Sequence, residues 1–416
     1  MVEDIGPMAG TALFCAPPRI LYGRGSLAKL PALLARRGLK RPLLVTDPFF
    51  TRGSRAAGDL VASLAEVGIA CEVSDLGEPD PSIELCRRVA ACVAGVDVDC
   101  VIGLGGGSNL DLAKALSVLL RFGGDPADYV GEGRLPGAPL PLVAIPTTSG
   151  TGSEITAGAV LVGEGRTTKV ALMDNELRPR IAVVDPALTD SCPPKVTAEA
   201  GADAMTHAVE SFLGVEAGEG PGAGATDPGY SGNTPLARLL ALEAIGRLAR
   251  AVPRAVADGA DTAARDEAAY GSLLASLAYG SVGLHGVHAI AYALADLTHA
   301  SHGATNAVLL PYVMDELRPV RTESLARIAA ALDPAAPAEP EAAARRACVA
   351  MRAWLAGIGL RTRLVDFDVA EDRIEALAAG GVAVARLSAA FPLQPPDEPF
   401  RRIVRRAWHG RMSFED

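Results

Sequence analysis

Strand-like apolar runs fill the first half of this chain and almost vanish after Pro193–Pro194. That change of texture is the strongest constraint on its fold. Before it, "PLLVTD" (42–47), "GIACEVSDL" (68–76), "DCVIGLGG" (99–106), "LPLVAIPTT" (140–148) and "RIAVVDP" (180–186) read as short strands. Segments with apolar residues at helical spacing separate them, as in "SRAAGDLVASLAEVG". Strand–helix alternation predicts a parallel sheet covered on both faces. Beyond Pro194, Ala/Leu/Arg-rich segments dominate. The expectation is an α/β domain over residues 1–193 and an all-helical domain over 194–416. The Gly-rich stretch 214–235 reads as a mobile excursion between helices. A chain of 416 residues suits two cores better than one.

Composition narrows the partners. A net charge of -10 and no Lys/Arg stripe exclude a nucleic-acid surface. No run of eighteen uninterrupted apolar residues offers a membrane span. The N-terminal "MVEDIGPMAG" lacks the basic and apolar regions of a secretory signal. Seven scattered cysteines contain no CxxC pair, which points to reduced thiols in the cytoplasm rather than a zinc ribbon.

Three segments of the first half suit a nucleotide. "VIGLGGGSNLDLAKAL" (101–116) is a strand, a Gly-rich turn and a helix opening at Ser108. Glycine lets a phosphate approach the backbone, and helix N-terminal amides favour an anion. A tight turn without a ligand is the alternative, and the G-x-G-x-x-G fingerprint is absent. "IPTTSGTGSEIT" (145–156) places hydroxyls and free amides after a strand, which suits a cofactor or simply a solvated loop. Asp47 ends an early strand, where a carboxylate can bind a ribose diol and repel a 2′-phosphate, or merely open the turn before Pro48.

The histidines point to a metal. Of six in the chain, His285, His288, His299 and His302 fall within "HGVHAIAYALADLTHASH". A fifth, His207, follows Asp203 by four in "TAEAGADAMTHAVESF" (197–212), on one stripe of a helix that Thr197 can cap and Gly214 can end. Structural histidines are the ordinary alternative. Taken together, Asp203, His207, His288 and His302 make a carboxylate-plus-three-imidazole set that suits Fe(II) or Zn(II) with a position open to a substrate oxygen.

"GGGSNLDLAK", "IPTTSGTGSE", "GADAMTHAVES" and "HAIAYAL…SHGATNAVLLPYVM" resemble the iron-containing, or group III, alcohol dehydrogenases. The likeness runs from residue 17 to about Pro311. It implies an N-terminal nucleotide-binding α/β domain with a parallel sheet, an all-α C-terminal metal-binding domain of the dehydroquinate-synthase-like type, and a cleft between them. It also implies that Gly105, Gly106, Gly107 and Ser108 hold the pyrophosphate, joined by Asp111 of the same segment. Thr147, Thr148 and Thr151 line the cofactor further along, Lys169 lies near its ribose, and Asp47 is the adenosine-ribose acid. The metal ligands carry over to Asp203, His207, His288 and His302, leaving His285 and His299 as neighbours.

Three positions depart from the family pattern. Tyr292 stands where many members have a histidine, Asp80 replaces an asparagine, and a C-terminal Asn-Pro-Arg is missing.

The implied activity is reversible hydride transfer between an alcohol carbon and the nicotinamide of NAD(H), with NAD favoured over NADP. The substrate is a small alcohol or aldehyde, and the protein a homodimer or larger homo-oligomer. One rival is a hydroxyacid-oxoacid transhydrogenase, which turns over without added NAD. The other is a dehydroquinate-synthase-like cyclase, which needs basic residues around a substrate phosphate. No lysine follows Lys195 here.

Overall fold

A computed structural model describes residues 11–166 and 169–415. The N-terminal decapeptide read above lies outside them. The chain forms two compact units. One is Cys15–Ser191. The other is Cys192–Asp416, together with the described residues before Cys15.

Among the described residues the first unit holds nine strands: β1 (Ile20–Tyr22), β2 (Pro42–Val45), β3 (Glu72–Ser74), β4 (Cys100–Gly105), β5 (Gly131–Glu132), β6 (Leu142–Pro146), β7 (Gly158–Val162), β8 (Lys169–Met173) and β9 (Ile181–Val184). Its helices are α1 (Leu30–Arg36), α2 (Ala56–Glu66), α3 (Ile83–Cys92) and α4 (Gly107–Phe122). Six strands make a wholly parallel sheet in the order β1-β9-β6-β4-β2-β3. Every residue of β2, β4, β6 and β9 is buried, because helices cover both faces and leave no polar side to alternate with. Pairing of Val45 with Gly103 and of Gly105 with Pro146 brings three C-terminal strand ends side by side. Asp47, the glycine turn and Thr147 therefore leave the sheet together, where open α/β sheets bind ligands.

A smaller sheet, β5-β8-β7, carries an antiparallel β7–β8 pair in which Val162 faces Lys169. The strand readings from sequence omitted it.

The second unit is built from α5 (Pro194–Leu213), α6 (Pro235–Ala257), α7 (Thr262–Val282), α8 (Gly286–Thr298), α9 (His302–Leu317), α10 (Thr322–Leu332), α11 (Pro340–Gly357), α12 (Ile374–Ala383), α13 (Ala385–Ala389) and α14 (Asp397–His409). From Gly201 to Leu213, α5 is buried on all sides, as expected of a helix at the centre of a core. It starts at Pro194, three residues before the sequence-based cap. Thr197 instead donates its hydroxyl to Pro193 O at 3.1 Å, one turn back. The Gly-rich stretch is pinned at its base, where Asn233 N donates to Val215 O and Ala217 N to Asn233 O.

No single helix among the described residues is long and apolar enough to cross a membrane. Joined, α7 and α8 pass that test, but they are bent by 101°.

Candidate functional site

Four of the proposed ligands meet in the helical unit. Asp203 and His207 project from one stripe of α5, His288 comes from the first turn of α8, and His302 opens α9. At Gly303 a Cβ would lie 2.3 Å from Glu199 O. Glycine there lets the start of α9 touch the backbone of α5 and sets His302 beside Asp203.

The geometry around Asp203 is nearly symmetric. Its Oδ1 lies 3.5 Å from His207 Nε2, 3.6 Å from His288 Nε2 and 3.7 Å from His302 Nε2. Ligand atoms at the corners of a tetrahedron around an ion about 2.1 Å away stand roughly 3.4 Å apart. Those of Asp203, His207 and His288 all lie within 4.8 Å of one another, a set that does not include His302, whose approach is to Asp203. The side chains of Asp203, His207 and His288 are at most 4% exposed, whereas that of His302 is 32% exposed. The cluster is thus sealed on three sides and open on one.

Two residues missed from the sequence complete it. Glu210, three beyond His207 on the same stripe, accepts from His288 Nδ1 at 2.6 Å and from Val287 N at 2.7 Å. This fixes the His288 tautomer, with the proton on Nδ1 and the Nε2 lone pair facing Asp203. Asn306, one turn after His302, has Nδ2 2.8 Å from Asp203 Oδ1, 3.0 Å from His288 Nε2 and 3.1 Å from His302 Nε2. An amide has two hydrogens, so Asn306 can serve at most two of these three atoms. The Asn306 carbonyl oxygen, fully buried, makes no hydrogen bond among the described residues. The helical spacing of Glu210 and Asn306 was the available signal for both.

Electrostatics point the same way. Burial pushes the Asp203 carboxyl up, yet His207, His302 and His288 together hold it far below the usual carboxylate range. Glu210 behaves alike beside His285 and His288. Burial opposes the charge on His288, but Asp203 and Glu210 raise it to about 9. A cation bound there must displace that proton.

His285 is a neighbour, with Nε2 3.0 Å from Glu210 O. His299 is the left-handed C-cap of α8 and is exposed. The Tyr292 ring lies tilted against His302, centroids 5.8 Å apart.

The nucleotide candidates gather in the α/β unit. Gly105 has φ 143° and a Cβ there would strike Asn109 Nδ2 at 2.1 Å. At Gly106 a Cβ would meet nothing nearer than Thr148, at 4.0 Å. Packing therefore gives no reason for glycine at 106, whereas a phosphate approaching the uncapped N-terminus of α4 does. Gly107 packs on Thr151, and Thr147 N donates to Gly105 O. Asp47 accepts from Phe49 N at 2.9 Å and from Asn109 Nδ2 at 2.7 Å. Lys169 Nζ contacts Asp80 Oδ1 at 2.8 Å, and Asp80 N donates to Ser108 Oγ, which links β8 to the glycine turn.

Asp111 is differently placed. Its two oxygens accept from Ser153 Oγ and Val160 N, so it braces the threonine loop against α4. Buried Lys114 ties the same loop through Thr156 O and Gly158 O.

Known sequences agree with this arrangement. The sequence pattern of "Iron-containing alcohol dehydrogenase" matches residues 17–186, and that of "Fe-containing alcohol dehydrogenase family, C-terminal" matches residues 230–408. The chain belongs to the iron-containing alcohol dehydrogenase family. It is 38% identical over 400 residues to long-chain-alcohol dehydrogenase 1 of Geobacillus thermodenitrificans, covering 95% of this chain and 96% of that one. Identity with the NAD-dependent methanol dehydrogenase of Bacillus methanolicus is 31%, over 88% of this chain and 92% of the relative. A 1,3-propanediol oxidoreductase crystal structure superposes with a TM-score of 0.88 at 29% identity, covering 96% of this chain and all of that one. As a member of this family, the protein is an oxidoreductase acting on CH–OH groups.

Proposed function

We propose that this iron-containing alcohol dehydrogenase interconverts alcohols with aldehydes or ketones, using NAD(H) held by the α/β unit and one Fe(II) held by Asp203, His207, His288 and His302. The observation that carries this reading is the convergence of three imidazole nitrogens on one oxygen of Asp203 at 3.5–3.7 Å. When bound, the ion supplies Lewis acidity to the substrate oxygen and the nicotinamide carries the hydride.

The chain's own part is positioning. Glu210 keeps the Nε2 lone pair of His288 on the ligand side, and Asn306 Nδ2 steadies Asp203. Partly exposed His302 marks the side from which an alcohol enters. Gly106 and the first turn of α4 receive the pyrophosphate. Ser108 and the Thr147–Thr151 loop flank it, and Lys169 stands by the ribose.

The protein is further assigned to the cytoplasm as a homo-oligomer. The seven scattered cysteines, none in a CxxC pair, favour that compartment.

The direct functional assay is NADH oxidation by iron-loaded protein across aldehydes, ketones and oxo acids of increasing length. Turnover that disappears on chelation and returns with Fe(II) is expected. Turnover unaffected by chelation, or none on any carbonyl compound, contradicts the assignment.

Two substitutions test the cofactor half. Gly106→Ala adds a methyl group into space free of protein atoms. It is expected to leave Tm within about 2 °C while raising KM for NADH by about tenfold or more, a loss near 1.4 kcal/mol. A lowered Tm with unchanged KM would assign Gly106 to packing. Asp47→Asn keeps an oxygen to accept from Phe49 N, removes the charge and gives up the acceptor for Asn109 Nδ2. The ratio of kcat/KM for NADH over NADPH is expected to fall about tenfold, equivalent to one charge contact of roughly 1.4 kcal/mol. An unchanged ratio removes Asp47 from cofactor selection.

A further inference from the structure

We infer that Asp80 competes with the cofactor for Lys169 and so limits how tightly NAD(H) is held. It is a positioning residue, acting through the lysine. This role rests on the cofactor reading proposed above, in which the glycine turn receives the pyrophosphate and Lys169 stands by the ribose.

Contacts from two sides converge on Asp80. Its Oδ1 lies 2.8 Å from Lys169 Nζ, and its backbone N donates to Ser108 Oγ at 3.2 Å, in the first turn of α4. The next carbonyl, Pro81 O, accepts from Val162 N at 2.9 Å, and Val162 is the residue that faces Lys169 across β7 and β8. Asp80 is therefore fixed between the glycine turn and the end of the small sheet from which Lys169 emerges.

The backbone does not account for the carboxylate. Asp80 has φ 50°, a left-handed conformation that asparagine adopts as well. The bond to Ser108 uses the main chain, so an amide side chain would keep it. What the acid alone supplies is a charge for Lys169.

Exposure decides how that charge acts. The Asp80 side chain is 65% exposed, whereas that of Lys169 is 15% exposed. Water screens Asp80 from a phosphate arriving at α4, so direct repulsion is small, and the ion pair parts easily. Lys169 is the scarcer partner, a mostly enclosed ammonium with three donors. A donor aimed at Asp80 is withheld from a ribose hydroxyl or a phosphate oxygen. Cofactor binding must exchange one acceptor for the other, and the exchange costs affinity.

The test uses the full chain loaded with Fe(II), with NADH binding followed by the fluorescence of the cofactor itself. Asp80→Asn is expected to lower the dissociation constant for NADH about three- to fivefold, the scale of one partly exposed ion pair, with Tm unchanged. Lys169→Met is expected to raise that constant. In the Lys169→Met background, Asp80→Asn should gain less than about 1.5-fold, because no ammonium is left to release. An Asp80 that merely shapes the loop gives the same change in both backgrounds. Equal changes in the two backgrounds, or an affinity unchanged or weakened in Asp80→Asn alone, overturn the role and leave the cofactor reading standing. Wild-type protein that fails to bind NADH saturably brings down the cofactor reading, and this role with it.

Discussion

Replacing Asp203 with alanine is expected to reduce bound iron from one per chain to none. It should lower kcat/KM for alcohol oxidation by on the order of 10³-fold or more, since Lewis-acid stabilisation of the reacting oxygen is worth several kcal/mol. Asp203 Oδ1 is the one atom that all three imidazoles face, and the carboxylate is the only anionic donor in the set. Its loss leaves three imidazole nitrogens without an anionic donor, two of them crowded by the Asn306 amide. Asp203→Asn serves as the isosteric partner. It preserves volume, so a shared loss of iron in both variants assigns the effect to charge rather than to a cavity. Full activity with one iron per chain in either variant contradicts the ligand assignment.

Glu210→Gln is expected to weaken Fe(II) binding by about 10- to 100-fold, the usual cost of losing a partner behind a metal-bound histidine. Glu210 accepts from His288 Nδ1 and Val287 N on different oxygens. Glutamine has one acceptor and one donor, so one of those buried N–H groups loses its partner, costing about 1–3 kcal/mol. The His288 ring is then free to turn its lone pair away from Asp203. Two readouts separate positioning from mere stability: the dissociation constant for Fe(II) and the absorption spectrum of a Co(II)-substituted protein. A purely structural Glu210 lowers Tm and leaves both unchanged.

The sheet and the shared helix face of Asp203 and His207 were legible in the sequence because each rests on a periodic signal. Buried parallel strands such as β4 and β6 are continuous apolar runs, and the four-residue spacing of Asp203 and His207 follows from helical geometry. The β7–β8 pair was not legible. Its strands lie half-buried beside the "GEGRTT" connection, where glycine and threonine signal a loop more strongly than five residues signal a strand. The start of α5 was misplaced because a threonine before an Ala-rich run looks like a cap, while a proline at the first helical position needs none. Glu210 and Asn306 carried the right spacing, but their roles depend on which helices cross. That crossing is fixed by close backbone approaches such as Gly303 on Glu199. The roles of Gly105, Gly106 and Gly107 divide only in three dimensions. The first relieves a clash and a left-handed backbone, the third packs on Thr151, and the middle one leaves room. Asp111 shows the reverse: a residue of a cofactor motif whose two oxygens are both spent on protein donors.

The most direct test of the four-residue iron site is an anomalous difference map at the iron edge from crystals grown with Fe(II). A single peak is expected about 2.0–2.3 Å from Asp203 Oδ1 and from Nε2 of His207, His288 and His302. A peak elsewhere in the chain, or one that leaves His302 or Asp203 outside bonding distance, contradicts it.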